Sequence, residues 1–324
     1  MADPPALTPG WLLQETKRLG GASFDASFNS GGRLALAVSG GADSLALLLL
    51  AARAFPGQIQ VLTVDHGLRA AAADECALVR RLAASLDIPA ETLVLSLAPG
   101  GNVQARARAA RYRALGERCT ALGIGWLLTA HHQDDQAETL LLRLARGSGL
   151  TGLAAIGTAT RLAGVTVLRP LLGRRRADLT AIVAAAGWTP AEDPSNADPH
   201  YDRTRARTLL HGTPWLAAER LAASAAHLQQ AEAALRWAAE RAWDSRATTI
   251  DGRVMLDPEG LPAELRRRLL ARALAESGVA ADGPALARLL ARLADGRAAT
   301  IGAIAVRPSN GRWLLGAAPP RRRS

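Results

Sequence analysis

The chain has 324 residues, is 49% hydrophobic and carries a formal net charge of +10, from 39 Lys and Arg against 29 Asp and Glu. Lys17 is its only lysine, which argues against a Walker phosphate loop and a Schiff-base enzyme, because each needs a lysine in its site. Cys76 and Cys119 are isolated along the chain, which argues against a disulfide framework, a zinc ribbon and an iron–sulfur cluster.

Short apolar runs alternate with amphipathic stretches over residues 34–170. The runs predict buried strands of a parallel sheet at residues 33–38, 59–64, 91–97 and 125–130. The stretches between and after them predict helices at residues 44–53, 72–86, 102–122 and 134–146. A further strand is predicted at 165–172 and a further helix at 176–186. This order predicts an α/β domain with a doubly wound parallel sheet, whose ligands bind at the carboxyl ends of the strands.

The pattern changes near Gly212 and Pro214. The remaining elements are predicted as an Ala-rich helix at 215–246, a hairpin at 248–256, helices near 262–277 and 284–294, and a hairpin at 300–315. We therefore predict a catalytic domain at 1–212, with a short N-terminal extension over about 1–30, a smaller α+β domain at 213–318 and a disordered basic tail at 319–324. A signal peptide and a membrane-spanning run are both missing from the sequence, so we expect a cytoplasmic protein without membrane association.

The first motif is SGGADS, at residues 39–44, between the first predicted strand and a helix. A helix N-terminus offers unpaired amides and partial positive charge, and the two glycines let the backbone approach a phosphate. The two serines add hydroxyl donors. Asp43 would repel a bare phosphate, so we expect a divalent cation, Mg²⁺, between them. The alternative is a Ser or Asp cap at an ordinary turn.

Two further motifs precede the fourth strand. Asp65 and His66 close the second predicted strand in VDHGLR, and they indicate either a turn or a nucleotide contact beside the first motif. Arg108 and Arg111 are three residues apart in a predicted helix, so they share a face. That face is either solvated or reaches the phosphates of ATP, where arginine would stabilise the charge that develops in adenylyl transfer.

The block TAHHQDDQAET, at residues 129–139, ends the fourth strand and begins a helix. We predict that its acids and histidines stay outside the core, because burial would be too costly. His131 and Asp135 have the i,i+4 spacing of metal ligands, which favours a divalent metal site. Alternatively, acids such as Asp135 and Glu138 receive a cationic substrate.

Two segments and the overall composition bear on whether the protein binds a nucleic acid. RGSGLTGLAAI, at residues 146–156, is predicted as a glycine-rich turn, and the segment at 192–207 is predicted as irregular and arginine-rich. The latter is either a plain loop or a strip that holds RNA phosphates. The arginine excess likewise reflects genome composition or a phosphate-rich partner.

The motif SGGADS matches the S-G-G-x-D-S pattern of the PP-loop ATP-pyrophosphatase superfamily, whose members cleave ATP between its α- and β-phosphates. Together with VDHGLR, ARAARY, AHHQDDQAET, RGSGLTGL, RPLL and EDPSN, it makes residues 33–210 resemble the tRNA(Ile)-lysidine synthetase family. One departure is Thr204, which follows Arg203 where that family usually has asparagine.

The resemblance implies a ligase that joins the ε-amine of free L-lysine to the first anticodon cytidine of tRNA(Ile). ATP first adenylates the cytosine carbonyl oxygen and releases pyrophosphate; the amine then attacks the activated carbon and AMP leaves. ATP as substrate, Mg²⁺ and an accessory tRNA-binding domain at 213–318 are implied with it.

The resemblance also assigns residues to this chemistry. The resemblance implies ATP binding for Ser39, Gly40, Gly41, Asp43 and Ser44. Ala42 within the same motif, and Asp65 and His66 from their position at the end of the neighbouring strand, are predicted as nucleotide-binding residues with them. The implied catalytic residues are Asp43, Arg108, Arg111, His132, Asp135 and Glu138. Asp43 is also the implied Mg²⁺ ligand.

Three other functions are less consistent with the sequence. Another PP-loop enzyme, such as a tRNA thiolase, would need catalytic or cluster-binding cysteines, and neither cysteine lies in such a motif. A non-catalytic nucleotide-binding regulator would not need the acid–histidine block. A synthetase of small metabolites would not need an arginine-rich second domain. The oligomeric state is left open.

Overall fold

The apolar runs of the first half form a mostly parallel sheet in the computed structural model, which describes residues 6–65, 67, 71–96, 103–191, 202–250 and 253–318. The strands are β1 (Leu34–Ala37), β2 (Ile59–Asp65), β3 (Ala90–Val94), β4 (Trp126–Leu128), β5 (Ala159–Leu162) and β6 (Val165–Leu168). Their spatial order is β3-β2-β1-β4-β6-β5, and all neighbours are parallel except β5 and β6. The predicted doubly wound α/β class is thus confirmed.

Helices separate most of these strands along the chain. They are α1 (Pro9–Asn29), α2 (Ala42–Ala54), α3 (Ala71–Ser85), α4 (Val103–Ala121), α5 (Gln133–Ala145), α6 (Leu150–Leu153), α7 (Arg176–Ala185), α8 (Asp202–His211) and α9 (Ala218–Arg246). Leu34 and Leu36 of β1 pack in one core cluster, and Ala35 and Ala37 pack in another. Both faces of β1 are therefore covered, which explains why its sequence is apolar without alternation.

The strand order changes direction at β1. The chain passes from β1 to β2 on one side, whereas β4 lies on the other side of β1. In open α/β sheets, a crevice forms at the carboxyl ends of the strands where the order reverses. Residues 39–44 follow β1 and residues 129–132 follow β4, so the two motifs are brought to the same crevice.

A second, antiparallel sheet lies in the C-terminal unit. Its strands are β7 (Ala247–Ile250), β8 (Arg253–Leu256), β9 (Ala299–Ile301), β10 (Ile304–Ser309) and β11 (Arg312–Ala317), in the order β7-β8-β11-β10-β9. Helices α10 (Ala263–Glu276) and α11 (Gly283–Ala294) cover one face. Trp313, Leu315 and Val306 from the sheet pack there with Leu270 and Leu289 from the helices.

The chain divides into the compact units Met1–Gln229 and Gln230–Ser324, so the division falls inside α9. The first turns of α9 belong to the first unit, where Gln229 Nε2 donates to Ala154 O at 2.9 Å and to Ile156 O at 2.8 Å. The predicted limits at 1–212 and 213–318 and the accessory role of the second domain stay predictions. The predicted tail at 319–324 lies outside the described residues.

The structure differs from the predicted elements at several places. The strand expected at 165–172 ends at Leu168, and Pro170–Gly173 forms a short 3-10 helix, because proline has no N–H for the sheet. The edge strand β5 was not predicted, since all its residues are exposed and give no alternation. The segment expected to be irregular at 192–207 is helical from Asp202, in α8. The last hairpin has a third strand, β9.

Two expectations about composition can be compared with the fold. Cys76 and Cys119 are both free thiols and both buried. Within the part of the chain that the structure describes, no helix has the length and apolarity needed to cross a membrane.

Candidate active site

The loop at residues 39–44 joins β1 to α2, and its own serines fix its shape. Ser44 Oγ donates to Gly41 O at 2.9 Å and accepts the Ser39 N–H at 3.1 Å. The two serine hydroxyl oxygens are 3.3 Å apart. Ser44 is buried, at 6% exposure. Its hydroxyl thus closes the loop on itself, and the backbone of the loop is left to face the crevice.

The two glycines of this loop have different surroundings. Gly40 has φ +90°, and a Cβ there would lie 3.2 Å from Glu75 O. Gly41 has φ −73° and is the N-cap of α2; a Cβ there would meet only Ser39 Oγ, at 4.0 Å. Gly40 therefore makes the turn possible, and Gly41 leaves open space at a helix N-terminus, which favours an anion.

Asp43 stands in the first turn of α2 with one oxygen unsatisfied. Its Oδ1 is buried and accepts no hydrogen bond within the described structure, and Arg176 Nε lies 4.0 Å from it. A buried carboxylate oxygen without a donor fits a cation, and Mg²⁺ is commonly held by one or two carboxylates together with substrate phosphates. The residues present are therefore compatible with Mg²⁺ at Asp43.

His132 lies between β4 and α5 and is surrounded by carboxylates. Its Nε2 is 3.4 Å from Asp43 Oδ2 and 3.6 Å from Asp135 Oδ2, and its Nδ1 is 3.3 Å from Asp134 Oδ2. Burial alone would lower the pKa of His132, but the nearby carboxylates of Asp134 and Asp43 raise it to about 10. The contact with His132 also lowers the pKa of Asp134 to about 2. The positive charge of His132 thus lies between Asp43 of α2 and the two aspartates of α5, and it stabilises their close approach.

His131 and Asp135 do not have the helical i,i+4 arrangement on which the predicted metal site was based, and the metal site itself stays a prediction. Helix α5 begins only at Gln133, so His131 precedes the helix and the i,i+4 face does not include it. Its Nδ1 lies 2.9 Å from Thr129 Oγ1, and burial lowers its pKa to about 3. Among the described residues, no three His, Cys, Asp or Glu side chains are arranged to hold a metal ion.

Glu138 is buried in α5 and paired with arginines of α8. Its side chain is 1% exposed; Oε1 accepts Arg207 Nε at 2.8 Å, and Oε2 lies 3.5 Å from Arg203 Nε. Arg203 Nη2 is also 3.8 Å from Asp135 Oδ1. The expectation that this block stays outside the core is therefore wrong for Glu138 and for His132, because nearby opposite charges compensate their burial.

Helix α4 brings its arginines to the same crevice. The Arg108 guanidinium lies 5.1 Å from the centroid of the Tyr112 ring. Burial lowers the pKa of Arg111 below the usual arginine value. A guanidinium that has lost part of its water gains from an anion beside it, so both arginines provide positive charge opposite the loop.

A single pocket joins these groups. It is lined by Ala37, Ser39, Gly41, Asp43, Ser44, Arg108, Arg111, Tyr112, Leu115, Thr129, Ala130, His131, Asp135 and Arg203. The pocket therefore combines a site for anions with two carboxylates that can hold a cation. Such an arrangement can bind a polyphosphate at one end and an ammonium group at the other.

Several predicted residues do not line this pocket. Asp65 ends β2, where its Oδ1 accepts the N–H of Gly67 at 2.9 Å; His66 lies outside the described residues, as does the EDPSN segment at 192–196. Gly40 and Ala42 shape the loop, and Glu138 reaches the pocket through Arg203. The roles given to these residues in binding and catalysis stay predictions.

Sequence reasoning missed three arginines near the site. Arg203 and Arg207 lie four residues apart on α8 and both meet Glu138, and Arg176 begins α7, where its N–H donates to Asp134 Oδ2 at 3.2 Å. The i,i+4 spacing of Arg203 and Arg207 was a usable signal for a helix face. The segment was predicted as irregular, so that spacing was not used.

Comparison with known proteins gives consistent results. Residues 16–212 match the PP-loop domain family. A tRNA(Ile)-lysidine synthase from Novosphingobium aromaticivorans is 47% identical over 295 residues, which cover 90% of this chain and 90% of that protein. The enzyme of the same name from Zymomonas mobilis subsp. mobilis is 41% identical over 301 residues, covering 90% and 91%.

Among solved structures, the U34-tRNA thiolase NcsA from Methanococcus maripaludis superposes with a TM-score of 0.53. The match covers 68% of this chain and 78% of the thiolase, at 14% sequence identity. At that identity the match demonstrates a shared fold and nothing about the reaction.

Proposed function

The chain belongs to the tRNA(Ile)-lysidine synthase family of ATP-using ligases, and from this premise we propose that its pocket joins free L-lysine to the first anticodon cytidine of tRNA(Ile). The observation that carries the proposal is the single pocket in which the loop at 39–44, the arginines of α4 and Asp135 meet. The loop suits the triphosphate of ATP, the arginines suit the negative charge that develops during adenylation, and Asp135 suits the amine of lysine.

ATP would bind with its phosphates on the loop. The open position at Gly41 lets the backbone at the start of α2 approach phosphate oxygens. Asp43 would hold Mg²⁺, which when bound neutralises phosphate charge. His132 keeps the Asp43 carboxylate in place, 3.4 Å from its own Nε2.

Adenylation follows if the cytosine carbonyl oxygen attacks the α-phosphorus and pyrophosphate leaves. Arg108 and Arg111 line the same pocket as the loop, so they would stabilise negative charge on the phosphorus oxygens in the transition state. This charge is larger in the transition state than in bound ATP at the same position, which is why the arginines would increase the rate rather than only the affinity.

Lysine would bind at the opposite side of the pocket. Burial raises the pKa of Asp135, but the positive charges of His132 and Arg203 and the hydrogen bond from the His132 N–H lower it overall, so Asp135 is ionised and can hold the ammonium group. Arg203, within 3.8 Å of Asp135, would bind the substrate carboxylate. Glu138 positions Arg203 and does not line the pocket itself. The ε-ammonium group would first give a proton to solvent; the free ε-amine then attacks the activated cytosine carbon, the bond between that carbon and its oxygen breaks, and AMP leaves with the former cytosine oxygen.

The test is incorporation of labelled lysine into an unmodified tRNA(Ile) transcript. We expect one lysine, one AMP and one pyrophosphate per tRNA, and no incorporation into a transcript whose first anticodon base is uridine. Pyrophosphate release that does not require tRNA would instead indicate a synthetase of small metabolites. Sulfur transfer from a persulfide donor, without lysine incorporation, would indicate a thiolase.

A further inference from the structure

Arg176 places a loosely held guanidinium beside the loop at 39–44. Arg176 is the first residue of α7, and its Nε lies 4.0 Å from Asp43 Oδ1. That distance is too long for a hydrogen bond, and Oδ1 accepts none from any described residue. The Arg176 side chain is 46% exposed, against 27% for that of Asp43. The guanidinium is therefore attracted to the carboxylate by charge without being fixed to it.

The backbone that carries Arg176 is, by contrast, fixed to the start of α5. Arg174 O accepts the N–H of Gln133 at 2.9 Å, and the N–H of Arg176 donates to Asp134 Oδ2 at 3.2 Å. The Arg174 side chain is buried, and its guanidinium lies 3.8 Å from the centroid of the Trp11 ring. The base of the Arg176 side chain thus has a defined position, and only its tip is loosely held.

The structure leaves space around this tip. Arg176 borders a cavity of about 720 Å³ that is lined from α5, α7, α8 and the start of α9. The wall that α7 contributes beside Arg176 consists of small side chains, those of Ala177, Thr180, Ala181 and Ala184. The guanidinium can therefore turn away from Asp43 without displacing a packed side chain of α7.

Arg176 and Mg²⁺ compete for the same oxygen of Asp43. Oδ1 is the buried oxygen that fits the ion, and Oδ2 already lies 3.4 Å from His132 Nε2. Arg176 has to leave Oδ1 when Asp43 takes up Mg²⁺, because a guanidinium and a divalent cation repel each other at so short a distance. Substrate phosphates are the groups that Mg²⁺ commonly shares with a carboxylate, so they offer Arg176 a new anionic partner close by.

We propose that Arg176 binds the β- and γ-phosphates of ATP and then the pyrophosphate that leaves. The guanidinium fork matches two phosphate oxygens at once. The position beside Asp43 sets Arg176 apart from Arg108 and Arg111, which line the pocket from α4. The α4 arginines would act on the α-phosphate, and Arg176 would act on the leaving group. The inference rests on the proposed function, since it takes cleavage of ATP to AMP and pyrophosphate as the reaction.

The charge of the leaving group gives Arg176 a role in the rate. As the cytosine oxygen bonds to the α-phosphorus, the bond from that phosphorus to the α,β-bridging oxygen breaks, and its electron pair stays on pyrophosphate. The negative charge on pyrophosphate therefore grows during the step. A guanidinium at this end would bind the transition state more strongly than it binds ATP, which increases kcat.

The experiment measures ligand binding to the whole chain by calorimetry, without tRNA or lysine. R176Q removes the charge, and R176K keeps the charge but removes the fork. R175Q is the matched control one residue earlier, where Arg175 Nε lies 3.6 Å from Asp178 Oδ2 and the side chain is 63% exposed. Each protein is titrated with pyrophosphate, ATP and AMP in the presence of Mg²⁺, and thermal melting verifies folding.

We expect R176Q to bind pyrophosphate and ATP about tenfold more weakly, the effect of losing one hydrogen bond between charged groups. AMP affinity should stay at the wild-type value, because AMP has no β-phosphate. R176K should fall between R176Q and wild type, and R175Q should bind all three ligands like wild type. In the complete reaction, R176Q should lower kcat and leave the KM for lysine unchanged.

Equal pyrophosphate affinities of R176Q and R175Q would overturn the proposal. An equal loss of AMP and pyrophosphate affinity in R176Q would also overturn it, since that result would mean that Arg176 only supports the shape of the loop. If R176Q does not fold, R176K provides the same comparison. Failure of the proposed function is recognised separately, because the wild-type chain would then incorporate no lysine into tRNA(Ile) even if it binds pyrophosphate through Arg176.

Discussion

Gly40 and Gly41 are neighbours in the sequence but are needed for different reasons. Gly40 has positive φ and little space, whereas Gly41 has an ordinary conformation and open space. We expect Gly41→Ala to fold with an unchanged melting temperature and to weaken ATP binding at least tenfold, because its methyl group occupies the phosphate position. Gly40→Ala should also lower the melting temperature, because a left-handed backbone conformation costs alanine about 1 kcal/mol or more of folding free energy. Calorimetric titration with ATP and thermal melting separate the two.

Asp43 provides a test of the cation argument at the same loop. Asp43→Asn keeps the size of the side chain and removes its charge, so ATP affinity should fall at least tenfold and should no longer depend on Mg²⁺. Calorimetry with Mg²⁺ and with a chelator measures this. Asp178→Asn, at an exposed ion pair on α7, is the charge-matched control. An Asp43→Asn protein with the Mg²⁺ dependence of wild type would refute the assignment.

At the residue scale, the sequence allowed prediction of the groups that follow buried strands. Asp43 and Asp135 were found because the carboxyl ends of β1 and β4 must meet at the crevice. The state of His132 could not be predicted, because its charge depends on three carboxylates from two different helices. The spacing of residues within one segment cannot predict a cluster that is built from two separate helices.

At the scale of elements, α8 matters because it supplies both partners of Glu138. Arg207→Leu leaves a carboxylate that is 1% exposed with only the more distant Arg203. We expect a loss of about 3 kcal/mol in the free energy of unfolding. The double variant Glu138→Gln/Arg207→Leu should recover most of that loss, because no buried charge is left unpaired.

Activity should not recover with stability in this cycle. Glu138 positions Arg203, so the double variant should retain a raised KM for lysine and a nearly unchanged KM for ATP. Denaturant unfolding measures stability, and steady-state kinetics measure the two KM values, for wild type, Glu138→Gln, Arg207→Leu and the double variant. Recovery of the lysine KM together with stability would show that Glu138 has only a structural role.

The elements of the first unit were more predictable than the contacts between them. Strong apolar runs identified β1, β2 and β4, because these strands are buried on both faces. The exposed strand β5 and the arginine-rich α8 carry no such pattern. Helix α8 meets α5 through ion pairs such as that of Arg207 with Glu138, which lie 69 positions apart, a relation that local sequence cannot contain.

For the whole molecule, the scarcity of lysine makes a chemical prediction. Lys17 lies on α1, 4.0 Å from Asp25, and is not one of the residues that line the pocket. Amine acetylation, with the reagent removed before assay, should therefore leave tRNA binding and lysine incorporation intact. Phenylglyoxal, which modifies arginine, should abolish both, and ATP with tRNA should protect. Inactivation by acetylation would contradict the assignment of phosphate binding to arginines and backbone amides.

The change of pattern near residue 212 predicted a second domain, and the limits of that domain stay a prediction. The compact units divide inside α9, after Gln229, whose amide donates to the backbone after α6. An Ala-rich helix has few side chains that would mark such a division in the sequence.

The two buried thiols have a practical consequence. Burial raises the pKa of Cys119 to about 11 and also raises that of Cys76, so neither should form a thiolate at neutral pH or react with maleimide before unfolding. The folded wild-type chain should therefore remain unlabelled and provide the background signal for a labelling experiment. A single R307C replacement, at an exposed position of β10, would accept a fluorophore at that position alone.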